Sequence, residues 1–496
     1  MTGTVELPVW LVVIVALLAA LSVLDRLLIP SLRWALRARA NRAVDKLNTK
    51  LRLRIQPFKL TKRQVLIDQL LFDHETLHAI EEHAKDNGVP REVAMDKAKR
   101  YAREIVPSFN AYAYFRIGTR LARRVSETLY RVRLGYKNDE RLAAVDPNSS
   151  VVFVINHRSN MDYVLVTYVA ATQSALSYAV GEWAQIWGLR SLISSMGAYF
   201  IRRDSRDPLY RRILARYVHM ATAAGVVQAV FPEGGLSRDG ALREPKFGLL
   251  SYMVASFDPQ GARDITFIPV GINYDRVLED RILVAAASTA QGEKPVFRFS
   301  AGRLIQFMGG HIWRSLMGRN YRYGYACVSF GDPVSLKAYL ARASLDFRTL
   351  PPGERFAAVE TLGRDLMMAV GRVIPALPVS LAATAFLDAG DQPLTAFELK
   401  ARIATLIDRL EASGAHVHIP RADRDYAIDV GLRMLTLRHF VIEDAGSFRA
   451  NPTETAMLTY YANAIAHLLV QPGANRSVEL FPRQASAMVK AAPSSP

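Results

Sequence analysis

Short apolar runs separated by longer amphipathic stretches dominate the middle of this chain. The runs VVFVIN (151–156), GVVQAVF (225–231), ITFIPVGI (265–272) and YACVSF (325–330) are rich in β-branched residues and uncharged. Apolar residues at consecutive rather than alternate positions mark strands buried on both faces. Helix-length stretches at 207–224 and 244–257 separate the runs, and this alternation predicts an α/β domain built on a mostly parallel mixed sheet flanked by helices. Upstream, 61–141 reads as a helical domain: Thr61 and Gln64 fit a capping box, Gly88 and Pro90 punctuate, and apolar residues recur at helical spacing through Val125, Leu129 and Val132. Downstream, Pro351, Pro352, Gly353, Pro375 and Pro378 break up mainly helical patterns that run to about Pro472.

The pattern at the start is different. Residues 7–24, LPVWLVVIVALLAALSVL, form an uncharged run of 18 residues. As a helix it would be about 27 Å long, close to the thickness of a bilayer core, so a membrane segment is expected there. A cleaved signal peptide competes through the small residues Ala20 and Ser22, but residues 1–6 hold no Lys or Arg. Charge strengthens the membrane reading. Between Arg26 and Arg63 stand twelve basic residues against the single acid Asp45, so +11 of the formal +17 lies beside the apolar run and only +6 is spread over the rest. Basic residues on that flank put the bulk of the chain on the cytoplasmic face of an inner membrane, with anionic lipid headgroups as partner. Nucleic acid is disfavoured because no aromatic-interleaved base-reading motif appears. The single cysteine, Cys327, excludes an internal disulfide framework and the usual cysteine-rich zinc sites. The length of 496 residues divides into an anchor and basic segment (1–60), the helical domain (61–141), the α/β domain (142–345), a helical C-terminal region (346–490) and a short disordered tail (491–496).

Candidate chemistry follows the strands. The run 151–155 leads into Asn156, His157, Arg158, Ser159, Asn160, Met161 and Asp162. Strand ends of this kind open onto a crevice. If Ser159 or Asn160 caps the next helix, Asp162 lies in its first turn and folds back to the imidazole, pairing a base with its orienter. Alone, a His-x4-Asp spacing is as well explained by a helix cap. Three more segments change the balance: GAYFIRR (197–203), ending in Arg202 and Arg203; FPEGGLSRDG (231–240), with Glu233, Gly234, Gly235, Ser237 and Arg238; and IPVGINYD (268–275), whose Pro269 argues for an edge or end position.

In order and spacing these segments resemble the four blocks of the glycerolipid acyltransferases, and in particular their long glycerol-3-phosphate O-acyltransferase branch. The third block carries the GG form with a following PKFG at 245–248, and FGDPVSL (330–336) and TYYANAIAHLL (459–469) also look like that branch. The resemblance implies transfer of a fatty acyl group from acyl-CoA or acyl-carrier protein to the sn-1 hydroxyl of glycerol 3-phosphate, yielding lysophosphatidate. It implies no cofactor and no metal, only these co-substrates. His157 would be the general base and Asp162 its orienter; Arg202, Arg203, Arg238 and Lys246 would hold the phosphate; Glu233, Gly234, Gly235 and Ser237 would shape the glycerol site. Leu236 stands where the family usually has arginine, a contact that Arg243 or Lys246 could replace. Dihydroxyacetone phosphate or lysophosphatidate as acceptor, or a catalytically drifted membrane scaffold, are the competing readings.

Overall fold

The protein is described here by a computed structural model covering residues 48, 51, 53–170, 175–181, 189–202, 206–288 and 322–470. The expected membrane run 7–24, most of the basic block, Arg203 and the tail 491–496 lie outside the described residues. Among those described, no helix is long and apolar enough to cross a membrane.

An eight-stranded mixed sheet organises the fold. Strands β1 (Arg131–Leu134), β2 (Ser150–Ile155), β3 (Ser177–Gly181), β4 (Tyr199–Ile201), β5 (Gln228–Val230), β6 (Ile265–Tyr274) and β7 (Tyr325–Phe330) lie in the order β1-β7-β6-β2-β5-β3-β4, and β8 (Val334–Ser335) pairs with β6. The run β6-β2-β5-β3-β4 is parallel, whereas β7 and β8 lie antiparallel to β6. Side chains alternate across a strand, so one strand feeds two cores. Val151, Phe153 and Ile155 of β2, with Ile268, Val270 and Ile272 of β6, join one core; Val152, Val154, Ile265 and Phe267 join the other. Helices α1 (Arg63–Leu71), α2 (His74–Asp86), α3 (Arg91–Ile105), α6 (Pro208–Ala223), α7 (Gly248–Val254) and α8 (Pro352–Val373) cover the second face. Helices α4 (Thr119–Leu129), α5 (Met161–Ala170), α9 (Pro378–Ala389), α10 (Ala396–Ala412), α11 (Arg424–Leu437) and α12 (Thr455–Leu469) cover the first. Pro352 and Pro378 each open a helix at its first position, where a missing N–H costs nothing.

Four expectations need correction. Pro269 is not at a sheet edge: β6 lies between β2 and β7. Its carbonyl accepts from Gly331 N (2.8 Å), so the side without an N–H faces the link where the partner changes from β7, paired from Val270 onward, to β8, paired at Thr266 and Phe267. Thr61 does not cap α1; its hydroxyl donates to Pro57 O within the preceding turn, and Gln64 bonds Asp68. β1 belongs to the eight-stranded sheet although it falls inside 61–141, and it pairs in parallel with β7. The C-terminal region is not wholly helical, since β9 (Leu394–Thr395), β10 (Val441–Asp444) and β11 (Ser447–Ala450) form a small antiparallel sheet.

Candidate active site

The carboxyl end of β2 is fixed before the chemistry begins. Asn156 is buried, and its side chain both donates to Ile272 O (2.9 Å) and accepts from Ile272 N (2.8 Å), extending the β2–β6 ladder by one side chain. The chain then turns, and α5 starts at Met161 with Asp162 in its first turn. Asp162 Oδ2 lies 2.9 Å from His157 Nδ1 and also accepts from Arg158 N (2.7 Å) and Ser159 N (3.0 Å). Asp162 Oδ1 accepts from the Tyr274 hydroxyl at 2.7 Å. All the other partners of this carboxylate are donors, so the imidazole bonds to it as a donor from Nδ1 as well. That assigns the lone pair to Nε2, which is buried and has no hydrogen-bond partner among the described residues. The ring packs against Phe231 (centroids 4.5 Å apart) and edge-on to Tyr163 (5.4 Å).

The third block holds His157 by its main chain. Glu233 Oε1 accepts from His157 N (2.8 Å), and Ser237 N donates to His157 O (3.1 Å). The Ser237 hydroxyl is taken up by Ala241 O (2.7 Å) and Asp239 (3.1 Å), and Glu233 Oε2 accepts from Arg243 N (3.3 Å). Glu233 and Ser237 therefore brace the main chain of His157, and neither borders the cavity beside the imidazole. Arg243 Nη1 donates to Leu236 O (3.3 Å), so it steadies the turn at the position where the family arginine is missing. Burial pushes the Glu233 carboxyl up to about 7, against the backbone donors that pull it down. Glu279 sits behind the same turn, accepting from the Ser159 hydroxyl (2.7 Å) and from Asn160 N and Nδ2 (3.3 and 3.1 Å); burial raises its pKa too. The buried Arg158 donates to Gly240 O and lies 5.5 Å from the centre of the Tyr460 ring on α12. Gly240 has φ +82°, and a Cβ there would meet Tyr460 O at 1.8 Å, so only glycine lets the C-terminal helix approach this closely.

His157, Tyr163, Arg202, Phe231, Gly234 and Lys246 border one cavity of about 240 Å³, whose apolar wall includes Leu214, Val230, Leu249 and Leu250. Gly234, at φ +65°, leaves room for the Lys246 stem, which a Cβ would meet at 2.7 Å. Arg202 is held in a two-point pair with Glu104 (Nε–Oε1 2.9 Å, Nη2–Oε2 2.6 Å) between the rings of Tyr101 and Tyr210. This pairing raises the guanidinium pKa further and leaves Nη1 without a partner among the described residues. Gly235 and Arg238 do not border the cavity, and Arg238 is exposed. Reading the motifs missed Tyr274, Glu279, Glu104 and the tie from Arg158 to α12. Tyr274 closes the fourth block, but nothing in the sequence pairs it with Asp162.

A buried His–Asp pair at a parallel strand end, with Arg202 and Lys246 on the border of the same partly apolar cavity, is chemically able to take a proton from a hydroxyl beside a bound anion. Residues 133–273 match the family described as Acyltransferase, and residues 312–478 match the Glycerol-3-phosphate acyltransferase C-terminal region. The chain is 30% identical over 427 residues to a glycerol-3-phosphate acyltransferase of Aeromonas hydrophila, covering 84% of this chain and 51% of that relative. It thus spans about half the length of the curated relative it matches. A solved 1-acyl-sn-glycerophosphate (LPA) acyltransferase from Thermotoga maritima overlaps 51% of this chain and 78% of its own, at 17% identity and a TM-score of 0.29, a likeness too slight to add to the comparison. Over both matched regions the chain is similar to the glycerol-3-phosphate acyltransferases.

Proposed function

We propose that this protein is a glycerol-3-phosphate 1-O-acyltransferase. The observation that carries the reading is the meeting of His157, whose Nδ1 is tied to Asp162, with Arg202 and Lys246 around one cavity. In the proposed reaction Nε2 takes the proton of the sn-1 hydroxyl as its oxygen attacks the thioester carbonyl. The tetrahedral intermediate collapses with cleavage of the C–S bond, and the imidazolium returns the proton to the leaving thiolate. A thioester is already activated, so positioning and one base suffice, and acyl-CoA or acyl-carrier protein enters as co-substrate with no cofactor. Lys246 and the free Nη1 of Arg202 would hold the phosphate, and the apolar wall would receive the start of the acyl chain. The reaction is placed at the cytoplasmic face of an inner membrane, in keeping with the basic block beside residues 7–24.

The test is an acceptor panel on the full chain with one long-chain acyl-CoA. Glycerol 3-phosphate should be acylated at least about tenfold faster, in kcat/KM, than dihydroxyacetone phosphate or lysophosphatidate, a margin of about 1.4 kcal/mol. A preference for either other acceptor overturns the substrate assignment. Absence of transfer to all three from both acyl-CoA and acyl-carrier protein favours the scaffold reading.

A further inference from the structure

The helical turn Ala113–Gly118 and α4 bury Tyr114, Gly118, Ala122, Ser126 and Leu129. Their other side shows Tyr112 (66% exposed), Ile117 (51%) and Leu121 (47%) to solvent, interleaved with exposed Arg116, Arg120, Arg123 and Arg124. Isolated exposed apolar residues are ordinary. Three of them within ten positions, beside four arginines, make an amphipathic face that has no covering element among the described residues. The acid in this stretch is Glu127, and it is occupied by the Tyr168 hydroxyl (2.8 Å) and Arg123 (2.9 Å). Among the described residues Arg116, Arg120 and Arg124 form no ion pair. Leu51 and Ile55, inside the basic block 26–63, join Tyr114 and Phe115 in one small apolar cluster. The basic block therefore touches this same part of the molecule at those two residues.

We infer that this face docks on an anionic bilayer, with Tyr112, Ile117 and Leu121 sunk between headgroups and the arginines on lipid phosphates. A phosphodiester backbone has no use for three protruding apolar side chains, whereas a bilayer interface takes both components. The docking face is separate from the acyl-transfer reading, because none of these side chains borders the cavity around His157.

The protein's one cysteine makes the test clean. Cys327 is fully buried in β7 and burial pushes its thiol up to about 12, so a maleimide at neutral pH labels only an introduced cysteine. Full-length Ile117→Cys carries an environment-sensitive fluorophore, with Asp444→Cys, on the exposed β10–β11 hairpin, as reference. With phosphatidylglycerol–phosphatidylcholine vesicles the label at 117 should shift to shorter wavelength, lose most of its quenching by iodide and become quenched by doxyl-labelled lipid. The label at 444 should stay in water. Combining Arg116→Gln, Arg120→Gln and Arg124→Gln should abolish the shift at 117 and leave acyl transfer in detergent unchanged. A label at 117 that stays in water while the protein floats with the vesicles overturns the docking face. So does shielding that occurs without vesicles, which would mean an interface with protein. Loss of acyl transfer in the detergent assay would refute the separation from catalysis.

Discussion

The two halves of the cavity are built differently. Within the His157–Asp162 pair almost every polar atom is committed: Asp162 receives four bonds, the main chain of His157 is held at N and O, and of the pair's side-chain atoms only Nε2 lacks a partner among the described residues. Elsewhere on the cavity border Lys246 is exposed, and Arg202 owes its position to an ion pair with Glu104. The first half is a rigid buried network whose parts lie within six residues of one another, with long-range braces. The second is a partly solvated set of cations, one of them fixed by a residue 98 positions away. A general base needs a single tautomer at a single angle, so rigidity matters there. A phosphate tolerates several donor arrangements.

The contrast can be broken in a graded way. The largest effect is expected from Asp162→Asn. Its amide would set a donor against the backbone N–H groups and could hold the wrong imidazole tautomer, so kcat should fall roughly 10²–10⁴-fold with little change in KM for glycerol 3-phosphate. Next comes Arg202→Ala, which should raise that KM about ten- to a hundredfold, as for a lost charged hydrogen bond of about 1.5–3 kcal/mol, and leave kcat within a few-fold. Glu104→Gln keeps the arginine and loosens it, and steady-state kinetics should show KM up about fivefold. If Asp162→Asn moved KM and Arg202→Ala moved kcat, the division of labour would be reversed.

The smallest effect concerns Glu233. Its folded pKa of about 7 lies above the ordinary carboxyl value, so the proton favours the folded state. That contribution is complete below the unfolded pKa and disappears as pH rises through about 7. Glu233→Gln, which cannot ionise, should therefore gain on the wild-type protein by a few degrees in thermal midpoint between about pH 5 and about pH 8, whatever its absolute stability. A gap that does not change with pH would contradict a strained Glu233.

What was legible in the sequence follows the same line. YACVSF matched β7 residue for residue, and 207–224 was close to α6, because burial on both faces and a strong helical period leave direct traces. The His157–Asp162 pair was legible because one short turn of chain leading into α5 joins them. β1, RVRL, was not: it is a short, mostly exposed edge strand with charged residues at alternate positions. The capping box failed because Thr61 closes the turn before α1, a competition that no local pattern reveals. Pro269 sits in a central strand because the partner on its N side switches there, which depends on β7 and β8 some sixty residues later. Glu104, Tyr274 and Glu279 escaped for the same reason: each acts on a residue about a hundred positions or more away, through contacts that only the fold creates.

The central claim is that His157, oriented by Asp162, is the base for acyl transfer to glycerol 3-phosphate. The direct measurement is turnover of glycerol 3-phosphate and a long-chain acyl-CoA by purified full-length His157→Ala, with its fold checked by near-ultraviolet circular dichroism. The geometry predicts a folded protein whose kcat falls roughly 10²–10⁴-fold. A folded variant turning over within about tenfold of wild type would contradict it, because that loss lies below the range expected for removing a general base.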